Sequence, residues 1–134
     1  MLRLLDTDTV IYILKHRPPG VAAHFERCSP EEVAISAVSI AELMFGAEKS
    51  RNPVKARRAV EKIAELLQVL PFDEGAARVY GRVRSHLEKL GTPIGALDTL
   101  IGAHALFAHA TLVTNNVREF ERIPGLRVEN WTTA

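Results

Sequence analysis

The sequence predicts an α/β fold with a short, mainly parallel central sheet covered by helices on both faces. Short apolar segments alternate along the 134 residues with longer segments of helical periodicity. Strands that are separated by helices require right-handed crossover connections, which produce parallel pairing. The sequence contains no internal repeat, low-complexity tract or linker, so we expect a single domain spanning residues 1–134.

Five short apolar segments are predicted to form the strands of this sheet. In open α/β sheets, ligands bind outside the carboxyl ends of the strands, where loops turn into helix N-termini. Polar residues directly after the strands are therefore the first candidates for function. In chain order the predicted strands are Leu2–Leu5, Val33–Ile35, Val69–Phe72, Thr111–Thr114 and Arg127–Glu129.

The segments between the strands carry the helices, and several have start or stop signals. Ser36 and Asp73 can cap incoming helices, and Pro53 suits a first turn. Gly91 followed by Pro93 ends the longest predicted helix. The predicted helices are Thr9–Lys15, Val21–Arg27, Val38–Lys49, Val54–Leu67, Glu74–Leu90 and Ala96–Ala108, with a short turn at Arg118–Arg122.

The composition excludes several classes of protein. Hydrophobic residues make up 47% of the chain and charged residues 25%, which is typical of globular domains rather than disordered or fibrous chains. No apolar run reaches the roughly 18 residues that cross a bilayer, and the start has no signal-peptide pattern, so we expect a cytoplasmic protein without a membrane partner. The single Cys28 and the histidine spacing do not suggest zinc. A net charge of +1 means that any nucleic-acid signal must be local.

Asp6 directly follows the first strand in the segment LLDTDTV. It therefore lies where a ligand is expected, and Asp8 is near enough in sequence to join it. An alternative is that Asp6 or Asp8 only caps the helix predicted near Thr9. The sequence leaves both interpretations open.

Glu42 belongs to a narrow polar stripe on an otherwise apolar helix, ISAVSIAELMFGAEKS. Ser39, Glu42, Gly46 and Lys49 share this stripe at helical spacing. The stripe can be a thin solvated face, because long charged side chains usually reach water. A helix this apolar needs contacts on nearly all sides, however, so we expect the stripe to face a small cleft.

Asp98 lies in the first turn of the helix in PIGALDTLIGAHALF. The helix dipole alone favours an acid there, which is the alternative to a functional role. Gly95 and Gly102 share its face of the helix and are expected to leave room for a ligand beside the carboxylate.

Asp6, Glu42 and Asp98 come from separate segments that converge near the strand ends if the fold prediction holds. Crowded carboxylates cannot all stay ionised unless a cation offsets their repulsion. Their oxygen ligands suit Mg²⁺ or Mn²⁺, and such an ion activates water and stabilises charge on a phosphoryl group. We therefore predict a metal site formed by these acids.

The segment TLVTNNVREFERI contains a fourth group of candidates. Thr114, Asn116 and Glu119 can position a phosphate or a metal-bound water. Alternatively, the two asparagines only adopt turn conformations, and Glu119 pairs with Arg118 or Arg122 on the surface.

Four segments carry the similarity of this chain to a known family, namely LRLLDTDTVIYILK, ISAVSIAELMFGAEKS, GTPIGALDTLIGAHA and LVTNNVREFERIPGLRVENW. In order and spacing they resemble the PIN-domain toxins of the VapBC type, over nearly the whole chain. The resemblance implies a three-layer α/β/α PIN domain. It also implies that Asp6, Glu42 and Asp98 bind metal, while Thr7 and the 114–119 segment support them.

Two positions depart from the family pattern. Asp8 stands where this subgroup usually has Asn in LDTN, and it can add charge to the pocket. Asn116 stands where many PIN domains have an Asp, and Glu119 can replace that acid in part, which makes Glu119 a further catalytic candidate. The number of metal ions and their affinity are therefore left open.

The resemblance further implies a Mg²⁺-dependent endoribonuclease toxin that cleaves structured RNA, often tRNA. It implies a homodimer and inhibition by a cognate VapB-like antitoxin. Two basic clusters are candidates for RNA contacts, or for contacts with antitoxin carboxylates, unless they are solvated faces with partners such as Glu61 and Glu65. The first contains Lys49, Arg51, Lys55, Arg57, Arg58 and Lys62, and the second Arg78, Arg82 and Arg84; Lys55, Arg57, Arg58 and Arg82 are the tentative RNA-binding residues.

Two other functions are compatible with part of the pattern. LLDTDTV and LVTN fit two motifs of haloacid-dehalogenase-type phosphatases, in which Asp6 would be a covalent nucleophile. Too few residues follow Thr114, however, for the later motifs of that family. The second alternative is a non-enzymatic interaction module, whose acids only cap helices and whose basic faces bind a partner.

Overall fold

A computed structural model describes residues 1–132 of the chain, and its sheet confirms the predicted α/β fold. Every pairing between its strands is parallel, and the strand order is β3-β2-β1-β4-β5. The strands are β1 (Arg3–Leu5), β2 (Val33–Ser36), β3 (Gln68–Leu70), β4 (Thr111–Val113) and β5 (Val128–Glu129).

The helices lie between the strands, as the periodicity predicts. Asp6, Ser36 and Asp73 each accept a hydrogen bond from a backbone N–H group in the first turn of the helix that they cap. A short 3₁₀ turn at Pro30–Glu32, which the prediction missed, is closed by a capping box between Ser29 and Glu32. The α-helices are α1 (Thr7–Lys15), α2 (Pro19–Arg27), α3 (Ala37–Glu48), α4 (Pro53–Leu66), α5 (Glu74–Lys89), α6 (Ala96–Phe107) and α7 (Val117–Phe120).

Most predicted boundaries differ from the structure by one or two residues, and two of these differences have identifiable reasons. The first helix begins at Thr7 rather than Thr9, because Asp6 itself is the capping residue. The third strand ends at Leu70 rather than Phe72, because Pro71 has no N–H group to donate to a neighbouring strand.

Alternate residues of the strands face opposite sides of the sheet, and each side packs against its own helices. Leu5, Ile35 and Val113 contact α1 to α4 on one face. Leu4, Ala34 and Leu112 contact α5, α6 and α7 on the other. The chain therefore has the predicted three layers, and strands buried on both faces explain the continuous apolar runs.

The register of the central strands aligns their carboxyl ends. Leu5 is opposite both Ile35 and Val113, so the following residues Asp6, Ser36 and Thr114 share one edge of the sheet. The functional candidates after strands β1 and β4 are thus neighbours. Within residues 1–132, none of the helices is both long and apolar enough to cross a bilayer.

Candidate active site

Asp6 is buried at the carboxyl end of β1, with 6% of its surface exposed. Its Oδ1 accepts a hydrogen bond of 2.8 Å from the Thr9 N–H group, and its carboxyl group is also hydrogen-bonded to Thr114. Burial raises the pKa of Asp6, and the bonds with Thr114 and Thr9 oppose that rise. The two interpretations of Asp6 are compatible, because the residue caps α1 while it lies at the ligand-binding edge.

Glu42 lies on α3 and is partly buried beside the first residue of α1. The Thr7 hydroxyl donates a hydrogen bond of 2.6 Å to Glu42 Oε1. The cleft expected beside this helix is present as an open groove lined by Thr7, Lys15, Glu42 and Gly46, with α4 along it. Lys49 does not share the groove, since its ammonium lies 4.4 Å from the centre of the Phe45 ring.

Asp98 lies in the first turn of α6 and has the most perturbed carboxyl group of the site. Burial is the largest cause that raises its pKa from 3.8 to about 6. The negative charges of Glu119, Asp6, Glu42 and Asp8, in that order, contribute smaller parts of the same rise. The structure therefore brings carboxylates from three other segments of the chain near Asp98.

Glu119 lies beside the N-terminus of α6, the helix that carries Asp98. Its Oε1 accepts a hydrogen bond of 3.2 Å from the Gly95 N–H group, and its Oε2 accepts one of 2.5 Å from the Asn116 side-chain amide. The predicted alternative, pairing with Arg118 or Arg122, is wrong for the residues that the structure describes. Arg122 instead donates to the Pro93 carbonyl.

Thr114 and Asp8 have different relations to the acids. Thr114 is fully buried, is hydrogen-bonded to Asp6 and accepts a bond of 2.9 Å from the Asn116 N–H group. Asp8 is exposed, and its charge raises the pKa of both Asp6 and Asp98. Thr114 thus supports the site through direct hydrogen bonds, whereas Asp8 affects it through the electrostatic effect of its negative charge.

The two glycines of the Asp98 helix differ in their surroundings. A Cβ atom at Gly95 would lie 4.0 Å from Asp98 Oδ2, so this glycine is indeed beside the carboxylate. A Cβ atom at Gly102 would lie 2.5 Å from Ile123 Cδ1. The expectation that Gly102 leaves room for a ligand is therefore wrong, because this position allows α6 to pack against Ile123.

Thr9 is a residue of the site that the sequence analysis did not identify. Its N–H group donates to Asp6, and its hydroxyl donates a bond of 3.2 Å to the Val113 carbonyl on the neighbouring strand. A threonine three positions after a helix cap is the available signal, but only the sheet order places it beside β4.

The positions of these residues and their chemistry give different answers on whether they fit a divalent cation. In the part of the chain that the structure describes, no three acidic, histidine or cysteine side chains stand close enough to enclose one ion. Hydrogen bonds with Thr7, Thr9, Thr114 and Asn116 hold three of the carboxylates instead. None of the ion pairs among residues 1–132 offsets the charge of Asp6, Glu42, Asp98 or Glu119. An all-oxygen set with uncompensated negative charge suits Mg²⁺ or Mn²⁺, so the chemistry of the donors fits.

The basic clusters are partly engaged within the molecule. Arg57 pairs with Glu48 at 2.8 Å, rather than with Glu61 or Glu65. On α5, Arg78 pairs with Glu74 and Arg84 with Glu88. Lys55, Arg58 and Arg82 are exposed.

Comparison with known proteins agrees with this geometry. The model of the PIN domain family matches residues 3–126. The chain is 41% identical over 128 residues to the tRNA(fMet)-specific endonuclease VapC of Salmonella typhimurium, covering 96% of each chain. It is 38% identical over 128 residues to Ribonuclease VapC2 of Haemophilus influenzae, again covering 96% of each. The chain belongs to the VapC family of PIN-domain ribonucleases.

The VapC fold is also shared at the level of coordinates. A chain in the crystal structure of DNA-bound VapBC from Salmonella typhimurium superposes with a TM-score of 0.91 at 41% identity, covering 98% of this chain and 99% of that one. Because the chain belongs to the VapC family, the phosphatase alternative raised by LLDTDTV and LVTN is rejected. The predicted resemblance to the VapBC toxins is confirmed.

Proposed function

We propose that this VapC chain is a metal-dependent endoribonuclease that acts as the toxin of a type II toxin–antitoxin pair. The observation that carries the proposal is the environment of Asp98, whose pKa is raised to about 6 by burial and by the charges of four other acids. Such a cluster destabilises itself unless it binds a cation or a proton. The ribonuclease names of its relatives support hydrolysis of RNA as the reaction.

In this proposal Asp6, Glu42 and Asp98 hold Mg²⁺ or Mn²⁺, and Glu119 completes the acidic set. The bound ion supplies an activated water and offsets the charge that develops on the phosphoryl group. Thr7 orients the Glu42 carboxylate through its hydroxyl, and Thr114 and Thr9 orient Asp6. Asn116 holds Glu119 toward the Gly95 turn beside Asp98. Cleavage leaves a 5′-phosphate and a 3′-hydroxyl.

We infer that the substrate is a structured RNA, and tRNA is the first candidate. The Salmonella relative at 41% identity is named a tRNA(fMet)-specific endonuclease, which supports this choice. The exposed Lys55 and Arg58 on α4, with Arg82 on α5, are candidates for contacts with the RNA backbone. Arg57 is a weaker candidate, because Glu48 already neutralises it.

We further propose that a cognate VapB-like antitoxin inhibits the enzyme and that the toxin is a cytoplasmic homodimer. Solved structures of similar chains are described as VapBC from Salmonella typhimurium and VapBC2 from Rickettsia felis, which supports the antitoxin partner. Gel filtration with light scattering tests the dimer. Co-expression with the product of an adjacent antitoxin gene tests the inhibition.

The experiment that tests the nuclease is cleavage of total tRNA by the purified protein in Mg²⁺ and in EDTA, followed by sequencing of the new 5′ ends. Asp6→Asn, Glu42→Gln and Asp98→Asn should each lower cleavage by at least about 100-fold, a typical size for the loss of one group that stabilises the transition state. Glu26→Gln is the control, because this acid is exposed on α2 and takes part in none of the ion pairs among residues 1–132.

Folded variants that retain full activity would contradict the nuclease proposal. The interaction-module alternative predicts a different outcome. In that case neither Mg²⁺ nor Mn²⁺ binds at millimolar concentration, and Asp98→Ala leaves any effect on RNA unchanged.

A further inference from the structure

His104 is a buried side chain of α6, the helix that carries Asp98, and 2% of its surface is exposed. Its Nδ1 atom lies 2.8 Å from the Ser36 hydroxyl oxygen, and the two groups share a hydrogen bond. The Phe72 ring contacts the imidazole edge to face, with 5.3 Å between the ring centres. The imidazole is thus fixed on two sides by groups from different parts of the chain.

Ser36 is itself held in place. It is the last residue of β2, is 0% exposed and caps α3 by accepting a bond of 3.0 Å from the Val38 N–H group. Because Ser36 belongs to the sheet and also caps a helix, it cannot move without disturbing both. Its bond with His104 therefore joins α6 to the beginning of α3.

These two helices carry two of the proposed metal-binding acids. Glu42 is on α3, six positions after Ser36, and Asp98 is on α6, six positions before His104. Six residues of α-helix rise about 9 Å. The bond between the buried His104 and Ser36 thus connects the two helices about one and two-thirds turns away from the carboxylates.

The burial of a polar ring at this position has a cost that packing alone does not explain. The neighbouring residues Ala103 and Ala105 are buried and apolar, and a leucine would fill a comparable volume without a polar atom. Burial lowers the pKa of His104, so the ring is neutral near pH 7 and can exchange one hydrogen bond with Ser36. The benefit of this bond lies in its direction and length.

We infer that His104 and Ser36 are positioning residues of the nuclease, whose hydrogen bond fixes the spacing and rotation of the helix with Glu42 relative to the helix with Asp98. The inference rests on the proposed function, in which both acids serve one site. Misplacement of reacting groups by about 1 Å can lower a rate by about 100-fold. His104 acts through these acids and does not contact the RNA.

The test compares His104→Leu, which keeps the volume and loses the bond, with His104→Asn, which keeps a polar atom near the position of Nδ1. We measure kcat and KM for tRNA cleavage, and the binding of Mn²⁺ alone by calorimetry. His104→Leu should lower kcat by about 10- to 100-fold with little change in KM, and should weaken Mn²⁺ binding. His104→Asn should recover most of both losses.

Ile101→Val is the matched control, because Ile101 is buried on the same helix and has no polar group to lose. It should lower the melting temperature while kcat and Mn²⁺ binding remain those of the wild type. Ser36→Ala, combined with His104→Leu, should have no larger effect on kcat than Ser36→Ala alone, because the bond is lost only once. If His104→Leu does not fold, His104→Met against His104→Asn gives the same comparison, because methionine is apolar and flexible enough to fill the site.

The positioning role is wrong if His104→Leu matches Ile101→Val, or if the Leu and Asn variants are equally impaired. A wild-type protein that neither binds Mn²⁺ nor cleaves RNA would overturn the proposed function, and the positioning role with it. A wild-type protein that cleaves RNA, with unaffected His104 variants, overturns the positioning role alone.

Discussion

The Thr7 hydroxyl donates a 2.6 Å hydrogen bond to Glu42 Oε1, which links the first residue of α1 to an acid 35 positions further along the chain. Thr7 also contacts the Ser39 hydroxyl at 3.0 Å, one turn before Glu42 on the same helix. A hydrogen bond to a charged acceptor is about twice as strong as one between neutral groups. Thr7 therefore determines which rotamer the Glu42 side chain adopts.

Thr7→Val should lower kcat about tenfold, because the Glu42 carboxylate loses the donor that orients it while the side-chain volume is kept. The melting temperature should change little, since Thr7 is only partly buried. Thr7→Ser keeps the hydroxyl and is the control, with activity expected near that of the wild type. Equal activity of the Val and Ser variants would show that the bond is not needed.

Asp98 should make the folded protein less stable as the pH rises. Its pKa is about 6 in the folded state against 3.8 ordinarily, so the folded protein binds this proton more tightly than the unfolded chain does. The resulting stabilisation is present below pH 4 and is lost as the pH rises through 6. Solvent screening of this partly exposed group reduces it to about 1–2 kcal/mol.

Urea unfolding between pH 4 and pH 7, in EDTA, measures this dependence. Asp98→Asn should remove that part of the slope and stabilise the protein at pH 7. Glu26→Gln is the control and should leave the slope unchanged, because Glu26 is exposed on α2 and takes part in none of the ion pairs among residues 1–132. If Asp98→Asn does not alter the slope, then ionisation of Asp98 does not destabilise the folded protein.

Gly102→Ala should destabilise the fold by about 1–3 kcal/mol, because the new methyl group would lie 2.5 Å from Ile123 Cδ1 and 3.4 Å from the Phe120 ring. Gly81→Ala on α5 is the matched control, because no atom lies within 4 Å of its added Cβ. It should stabilise the protein by about 0.4–1 kcal/mol. Thermal unfolding of both variants checks the contrast, and a neutral Gly102→Ala would show that Ile123 moves freely.

The double variant Lys55→Ala with Arg58→Ala should weaken RNA binding and reduce the slope of log affinity against log salt concentration by up to about 2. Both residues are exposed on α4, which lies along the groove that contains Glu42. Arg84→Ala is the control, since Arg84 lies on α5 and is already paired with Glu88 of the same helix. An unchanged slope in a filter-binding titration would place the RNA elsewhere.

Much of the fold could be predicted because its signals are local. The caps Asp6, Ser36 and Asp73 act on backbone groups two or three residues away, so their sequence context is sufficient. Pro71 shows the limit of periodicity, because the apolar run continues to Phe72 whereas the hydrogen-bonded strand ends at Leu70. The parallel direction followed from the alternation of elements, but the strand order did not.

The sequence was enough to predict the acidic residues of the site, but not the hydrogen bonds and ion pairs that they form. The acids at positions 6, 42 and 98 were identified from their places after strands and on apolar helices. One of the two interpretations of Glu119 paired it with Arg118 or Arg122, yet the structure pairs it with Gly95 and Asn116. Arg57 likewise pairs with Glu48 rather than with an acid of its own helix.

The sequence by itself determined the order of strands and helices along the chain, their caps, and the supply of carboxylates at the strand ends. These properties depend on contacts within about four residues, which a linear pattern records directly. Only the tertiary structure decided that Thr7 bonds with Glu42, that Ser36 meets His104 and that Gly102 receives Ile123. Those contacts join distant segments, and they exist because the strand order and the packing of two helical layers bring the segments to the same place.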